Sequence, residues 1–145
     1  MIDCERAFLD SVFLIYHLEK HPAFSPITTA ILADIDSGGG ELCTSVVSIM
    51  EFSVEPYRNN NFQLLNDLSS FFLQYQILPS DVTVEIAKNA SKLRARYSFL
   101  RGLDALQIGA ALAEKCDAFI TNDSKLKAIE EIRVILIGEL TATQR

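Results

Sequence analysis

No apolar run in this chain reaches the roughly 20 residues needed to cross a bilayer, which excludes a membrane-spanning helix. Cysteine is scarce and poorly spaced: Cys4, Cys43 and Cys116 lie far apart, odd in number and without a CxxC pair, so they do not suit a disulfide framework and read as buried thiols in a reducing compartment. There are only two histidines. His17 and His21 stand four apart, but Pro22 follows directly and no third ligand is nearby, which argues against a zinc site. Gly38-Gly39-Gly40 lacks a following Lys-Ser or Lys-Thr and precedes a strand, so it reads as a turn and not a phosphate-binding loop. Positive charge is in deficit, with 13 Lys and Arg against 19 Asp and Glu, and a net charge of -6 excludes a general nucleic-acid coat. The acidic start, Asp3, Glu5 and Asp10, is wrong for a signal peptide, and the expected location is the cytoplasm.

What is present suits one compact domain over residues 1–145. Hydrophobic residues make up 49% and charged residues 22%, the balance of a chain that buries a core. Basic residues gather locally: Lys88, Lys92, Arg94, Arg96 and Arg101 stand against the single acid Glu85 between Glu85 and Arg101.

Strand and helix signals alternate. Arg6–Leu9 predicts a strand and Ser11–Lys20 a helix, and Ser25 with Pro26 opens a second helix to about Ser37. Glu41–Thr44 predicts a strand and Val46–Val54 a helix that Pro56 ends or bends, with a further helix from Leu64 to about Gln74. Gln76–Leu78 predicts a third strand, after which Ser80 or Asp81 caps a helix with Ile86, Ala90, Leu93 and Tyr97 inward. A buried helix starts at Asp104, apolar from Ala105 to Ala113 except for Gln107. Ala118–Thr121 and Arg133–Ile137 predict the last strands, with helical Lys125–Glu131 between them. This alternation predicts an α/β domain with a mainly parallel sheet covered on both faces.

In such sheets ligands bind beyond the carboxyl ends of the strands. Asp10 and Asp123 each follow a predicted strand there, Asp104 opens the buried helix, and Glu51 lies within reach of the same edge. Crowded carboxylates raise one another's pKa and call for a counter-ion, and oxygen donors without His or Cys favour Mg²⁺ or Mn²⁺. Each acid also has a plainer reading. Asp10 and Asp123 can cap the helices they precede, Asp104 with Gln107 resembles a capping box, and Glu51 can be an exposed helical glutamate.

Four segments carry a resemblance: Phe8-Leu9-Asp10-Ser11-Val12-Phe13-Leu14-Ile15, Ser45-Val46-Val47-Ser48-Ile49-Met50-Glu51, Leu103-Asp104-Ala105-Leu106-Gln107-Ile108-Gly109-Ala110-Ala111, and Phe119-Ile120-Thr121-Asn122-Asp123. In order and separation they resemble the PIN-domain family, including VapC-type toxins. The resemblance implies a three-layer domain with a five-stranded parallel sheet, and a Mg²⁺- or Mn²⁺-dependent endoribonuclease. It implies metal-site and catalytic roles for Asp10, Glu51, Asp104 and Asp123, with Thr121 as a supporting hydroxyl. It further implies a homodimer silenced by an antitoxin. Val12 departs from the pattern, standing where many members carry Asn. Arg101, three residues before Asp104, is placed to hold a substrate phosphate, with Arg94 and Arg96 along the same strip.

Two other readings compete. A non-catalytic PIN-like module that binds RNA or protein would show a lost acid, and none is lost. A phosphatase or phosphotransfer domain with Asp10 as nucleophile would want a second Asp where Val12 stands, or paired acids and a late-strand Lys.

Overall fold

The computed structural model of the chain describes residues 2–140, so residues 1 and 141–145 of the expected 1–145 domain lie outside the described range. Four strands, β1 (Arg6–Leu9), β2 (Glu41–Cys43), β3 (Ala118–Thr121) and β4 (Arg133–Leu136), form one sheet in the order β2-β1-β3-β4, with every neighbouring pair parallel. β1 and β3 are the central pair. Their apolar runs Ala7-Phe8-Leu9 and Ala118-Phe119-Ile120 are fully buried, as continuous runs must be in a sheet covered on both faces.

Alternation of side chains sends Phe8 and Phe119 to one face, where their rings stack 5.3 Å apart. That face is covered by α5 (Val84–Arg96) and α6 (Gly102–Ala113) through Ile86, Leu93 and Ile108. The other face, carrying Ala7, Leu9 and Ile120, is covered by α1 (Ser11–Leu18), α2 (Ser25–Ser37), α3 (Val46–Arg58) and α4 (Phe62–Gln74) through Phe13, Ile31, Phe52 and Phe71. The result is the expected three-layer α/β arrangement. α5 and α6 approach closely at Gly109, where an added Cβ would meet the Ile86 carbonyl oxygen at 3.0 Å.

Several elements differ from expectation for local reasons. The sheet has four strands, not five, among the described residues. Gln76–Leu78 is not a strand: Gln76 adopts φ 55° to close α4, the Ile77 amide donates back to the Phe72 carbonyl, and Leu78 is 92% exposed. What remains of the fifth strand is a single parallel bridge between Ser45 and Ser80. That bridge occupies Ser80, and α5 is capped instead by Thr83, whose hydroxyl accepts from the Ile86 amide. α1 stops at Leu18 because Lys20 takes φ 55°. α3 runs through Pro56 to Arg58, since a proline in the last turn forfeits one hydrogen bond without blocking the two residues after it. The expected helix Lys125–Glu131 is a short 3-10 turn at Ser124–Ala128. The glycine run is a turn, with Gly39 at φ 74°. Among the described residues no helix is long and apolar enough to cross a membrane.

Candidate active site

β1 leads to β2 on one side and, in the strand order, β3 lies on the other, so the chain parts between the carboxyl ends of β1 and β3. Asp10 and Asp123 stand beyond those two ends. The Asp10 amide donates to the Ile120 carbonyl, extending the ladder by one rung and locking the residue against β3. Its carboxylate is buried: Oδ1 accepts from the Ser11 amide at 2.8 Å and Oδ2 from the Thr121 hydroxyl at 2.7 Å. The cap expected of Asp10 is therefore made. The two hydrogen bonds do not compensate its burial. Desolvation, with a smaller push from the charges of Asp104 and Glu51, lifts the Asp10 carboxyl from 3.8 to about 6.

Glu51, on α3, accepts from the Ser11 hydroxyl at 3.0 Å, so Ser11 joins two of the acids. Val12 leaves no polar side-chain atom at the position of the missing Asn, and its neighbour Ser11 makes a polar link from β1's end to α3. Thr121 also joins two acids, because the Asp123 amide donates to the same hydroxyl that serves Asp10. Asp123 caps the following turn by accepting from the Lys125 amide. Asp104 makes no capping box: Arg101 flanks α6, Asp104 lies in its first turn without a cap bond, and Gln107 is buried elsewhere.

Asp104 instead faces two adjoining hollows. An open cleft of about 870 Å³ is bordered by Glu51, Ala87, Arg94, Arg101, Asp104 and Leu106, and a smaller one of about 150 Å³ by Arg101, Asp104 and Asp123. Arg101 Nε lies 3.4 Å from Asp104 Oδ2 on an arginine that is 81% exposed. Arg94 borders the cleft with its Nε on the Leu100 carbonyl. Arg96 does not border it. Its guanidinium pairs with Glu130 and Glu131 at 3.0 and 3.1 Å and lies over the Tyr97 ring, at the far side of α5.

Residues 7–132 match the family model of the PIN domain. The chain belongs to the PIN-domain family. Solved structures with a similar fold include VapBC2 from Rickettsia felis bound to a DNA fragment from its promoter, with a TM-score of 0.75 and 18% identity over 90% of this chain and 98% of that one. DNA-bound VapBC from Salmonella typhimurium is similar at a TM-score of 0.66 and 19% identity, covering 91% of this chain and 98% of that one. The Mycobacterium tuberculosis toxin VapC20, described as cleaving the sarcin-ricin loop, is similar at 0.68 and 15% identity, covering 88% and 98%. No curated protein matches the sequence.

In this PIN domain the acids come from four separate segments: the end of β1, the middle of α3, the first turn of α6 and the end of β3. Every donor is a carboxylate oxygen, the chemistry of a site for a hard divalent cation. The raised pKa of Asp10 comes first from burial, with a smaller contribution from the negative charges of Asp104 and Glu51. Among the described residues, no three His, Cys, Asp or Glu side chains stand close enough to hold a metal ion as placed. Asp104 and Asp123 are turned to Arg101 and to the Lys125 amide.

One feature of the site escaped the sequence reading. Gln107, 1% exposed, places its amide between Ser45, the cap of α3, and Ser48 within α3: Oε1 accepts from the Ser45 hydroxyl, and Nε2 donates to Ser48 Oγ at 2.6 Å. Ser45 also caps α3 by accepting from the Val47 amide, and the Thr44 hydroxyl, 2.8 Å from Ser48 Oγ, donates to the Leu9 carbonyl. A lone amide in an otherwise apolar helix was the available signal, since a buried polar group must find partners. The histidines serve the scaffold: His17 meets the Thr28 hydroxyl, and His21 accepts from the Ala23 and Phe24 amides.

Proposed function

We propose that this PIN-domain protein is a divalent-metal-dependent endoribonuclease, the toxin of a toxin–antitoxin pair, acting in the cytoplasm with Mg²⁺ or Mn²⁺. The observation that carries the reading is Asp10, a buried carboxylate at the carboxyl edge of the sheet that Ser11 joins to Glu51, with Asp104 and Asp123 lining one hollow. Thr121 ties Asp123 to the same carboxylate. A bound divalent cation supplies activation of a water and neutralisation of charge on the phosphate attacked. Asp10, Asp104 and Asp123 would hold such an ion directly or through water, with Asp104 free to leave its exposed contact with Arg101. Glu51, held by the Ser11 hydroxyl, would complete the ligand set or orient a water beside it. Arg94 and Arg101, at the rim of the cleft, hold substrate phosphates.

The similar folds described as VapBC complexes and as a sarcin-ricin-loop cleaving toxin support an RNA substrate and a cognate antitoxin. We assign a homodimer as well; Met50, Val54 and Tyr57, 48%, 40% and 63% exposed on α3, are apolar surface that a protein partner would cover. Sedimentation velocity tests that assignment, and a monomer at micromolar concentration would refute it.

The deciding experiment compares wild type with Asp104→Asn on a mixed RNA panel in Mg²⁺, in Mn²⁺ and with chelator. Cutting that requires metal and is lost in the variant is the expected result. A folded wild type that binds no Mn²⁺ would overturn the metal-site reading, and one that binds Mn²⁺ and RNA without cutting would make the protein a binding module.

A further inference from the structure

We infer that Gln107 is a positioning residue that fixes Asp104, Glu51 and Asp10 relative to one another through the buried hydrogen-bond relay joining α6, α3 and the end of β1. The inference rests on the nuclease reading and adds to it a residue outside the acidic set.

Packing alone does not require an amide at this position. The neighbours Ala105, Ile108, Ala110 and Ala111 are buried apolar residues, and a leucine or methionine would fill the same space without the cost of desolvating an amide. The amide is instead satisfied at both ends, by Ser45 at Oε1 and by Ser48 at Nε2. From Ser48 the relay passes to Thr44 and from Thr44 to the carbonyl of Leu9.

Each anchor of the relay stands next to an acid. Gln107 is three residues, one helical turn, after Asp104 on α6. Ser48 is three residues before Glu51 on α3, and Leu9 immediately precedes Asp10. Helical residues three apart share a face, so a sliding or rotation of α6 against α3 that shifts Asp104 relative to Glu51 also shifts Gln107 relative to Ser48. Hydrogen bonds are directional where apolar contact is not, and ligand geometry for a divalent cation tolerates errors of only about 0.5 Å. Groups that hold the ligands of a metal site in place change affinity or activity by roughly 10–100-fold when removed.

The test uses Gln107→Met, which keeps length and apolar volume and removes both hydrogen bonds, and a double variant that adds Ser48→Ala. In the double variant the Ser45 hydroxyl still accepts from the Val47 amide and the Thr44 hydroxyl still donates to the Leu9 carbonyl. The Ser45 proton loses its acceptor in both variants, so both should unfold at a lower temperature than wild type. Thermal unfolding, binding of Mn²⁺ alone followed by electron paramagnetic resonance, and kcat and KM on total RNA are measured for wild type and both variants. The expected result is a Mn²⁺ affinity weakened about 10–100-fold in both variants. We expect kcat to fall by a comparable factor with KM within twofold at a temperature where both variants remain folded. Affinity within twofold of wild type in Gln107→Met, or affinity that returns in the double variant together with stability, would overturn the positioning role and leave Gln107 a packing residue. A wild type that takes up no Mn²⁺ would instead strike the nuclease reading itself, a separate result.

Discussion

Replacing Asp10 with Asn should make the metal-free protein more stable at neutral pH, against the usual expectation for a buried, hydrogen-bonded carboxylate. The Asp10 carboxyl stands at about 6 in the folded chain against 3.8 for an unperturbed Asp, so between those values the folded state binds more protons than the unfolded one. Stability contributed by this group is then present at low pH and lost as pH rises through the window from 3.8 to about 6. A displacement of that size corresponds to about 3 kcal/mol at pH 7. Asn removes the charge and keeps the shape: its oxygen can accept from the Ser11 amide and its NH₂ can donate to the Thr121 hydroxyl. Urea unfolding in chelator at pH 4, 5, 6 and 7.5 should show the two proteins converging at pH 4 and the variant ahead by up to about 3 kcal/mol at pH 7.5. In thermal melts that gap is about 6–12 °C. Saturating Mn²⁺ should reverse the order, because the ion stabilises only a protein that binds it. A variant less stable than wild type at pH 7.5 in chelator, or a difference that does not change with pH, would refute the account of Asp10.

Two further outcomes follow from the same geometry. Mn²⁺ affinity should weaken by about tenfold per pH unit below 6, as a proton competes for Asp10, and a flat profile from pH 7 to 5 would place the ion elsewhere. Arg94→Ala and Arg101→Ala should each weaken RNA binding and reduce its salt slope by about 1, whereas Arg96→Ala, whose guanidinium is paired with Glu130 and Glu131, should leave the slope unchanged in fluorescence-anisotropy titrations.

The central strands were legible because their signal is redundant. Ala7-Phe8-Leu9 and Ala118-Phe119-Ile120 are apolar throughout, and an acid follows each within three residues, so both the element and the edge facing the site follow from one short run. Gln76–Leu78 carried a strand pattern over only three residues, too short to outweigh the closing turn of α4 that takes up Gln76 and Ile77. The cap of α5 was ambiguous because Ser80, Asp81 and Thr83 can all cap, and the choice is made by the Ser45–Ser80 bridge, a contact between distant segments. The basic strip was read as one surface, but 100° of rotation per residue puts Arg94 and Arg96 about 200° apart on α5, one at the cleft and one at Glu130 and Glu131. Gln107 was visible as an irregularity in an apolar helix, while its partners on α3 were not, because the packing of α6 on α3 is a tertiary fact.

The central place of β3 in the sheet also bears on synthesis. β1 is translated well before β3, yet they are neighbours, and the ladder that holds Asp10 in position ends on the Ile120 carbonyl. A growing chain that has not yet delivered β3 has Asp10, Glu51 and Asp104 already made but no wall beside Asp10, no Thr121 hydroxyl on its carboxylate and no Asp123. The proposed RNA-cutting activity would therefore arise only after β3 and Asp123 have been translated, and products truncated before β3 would not carry it.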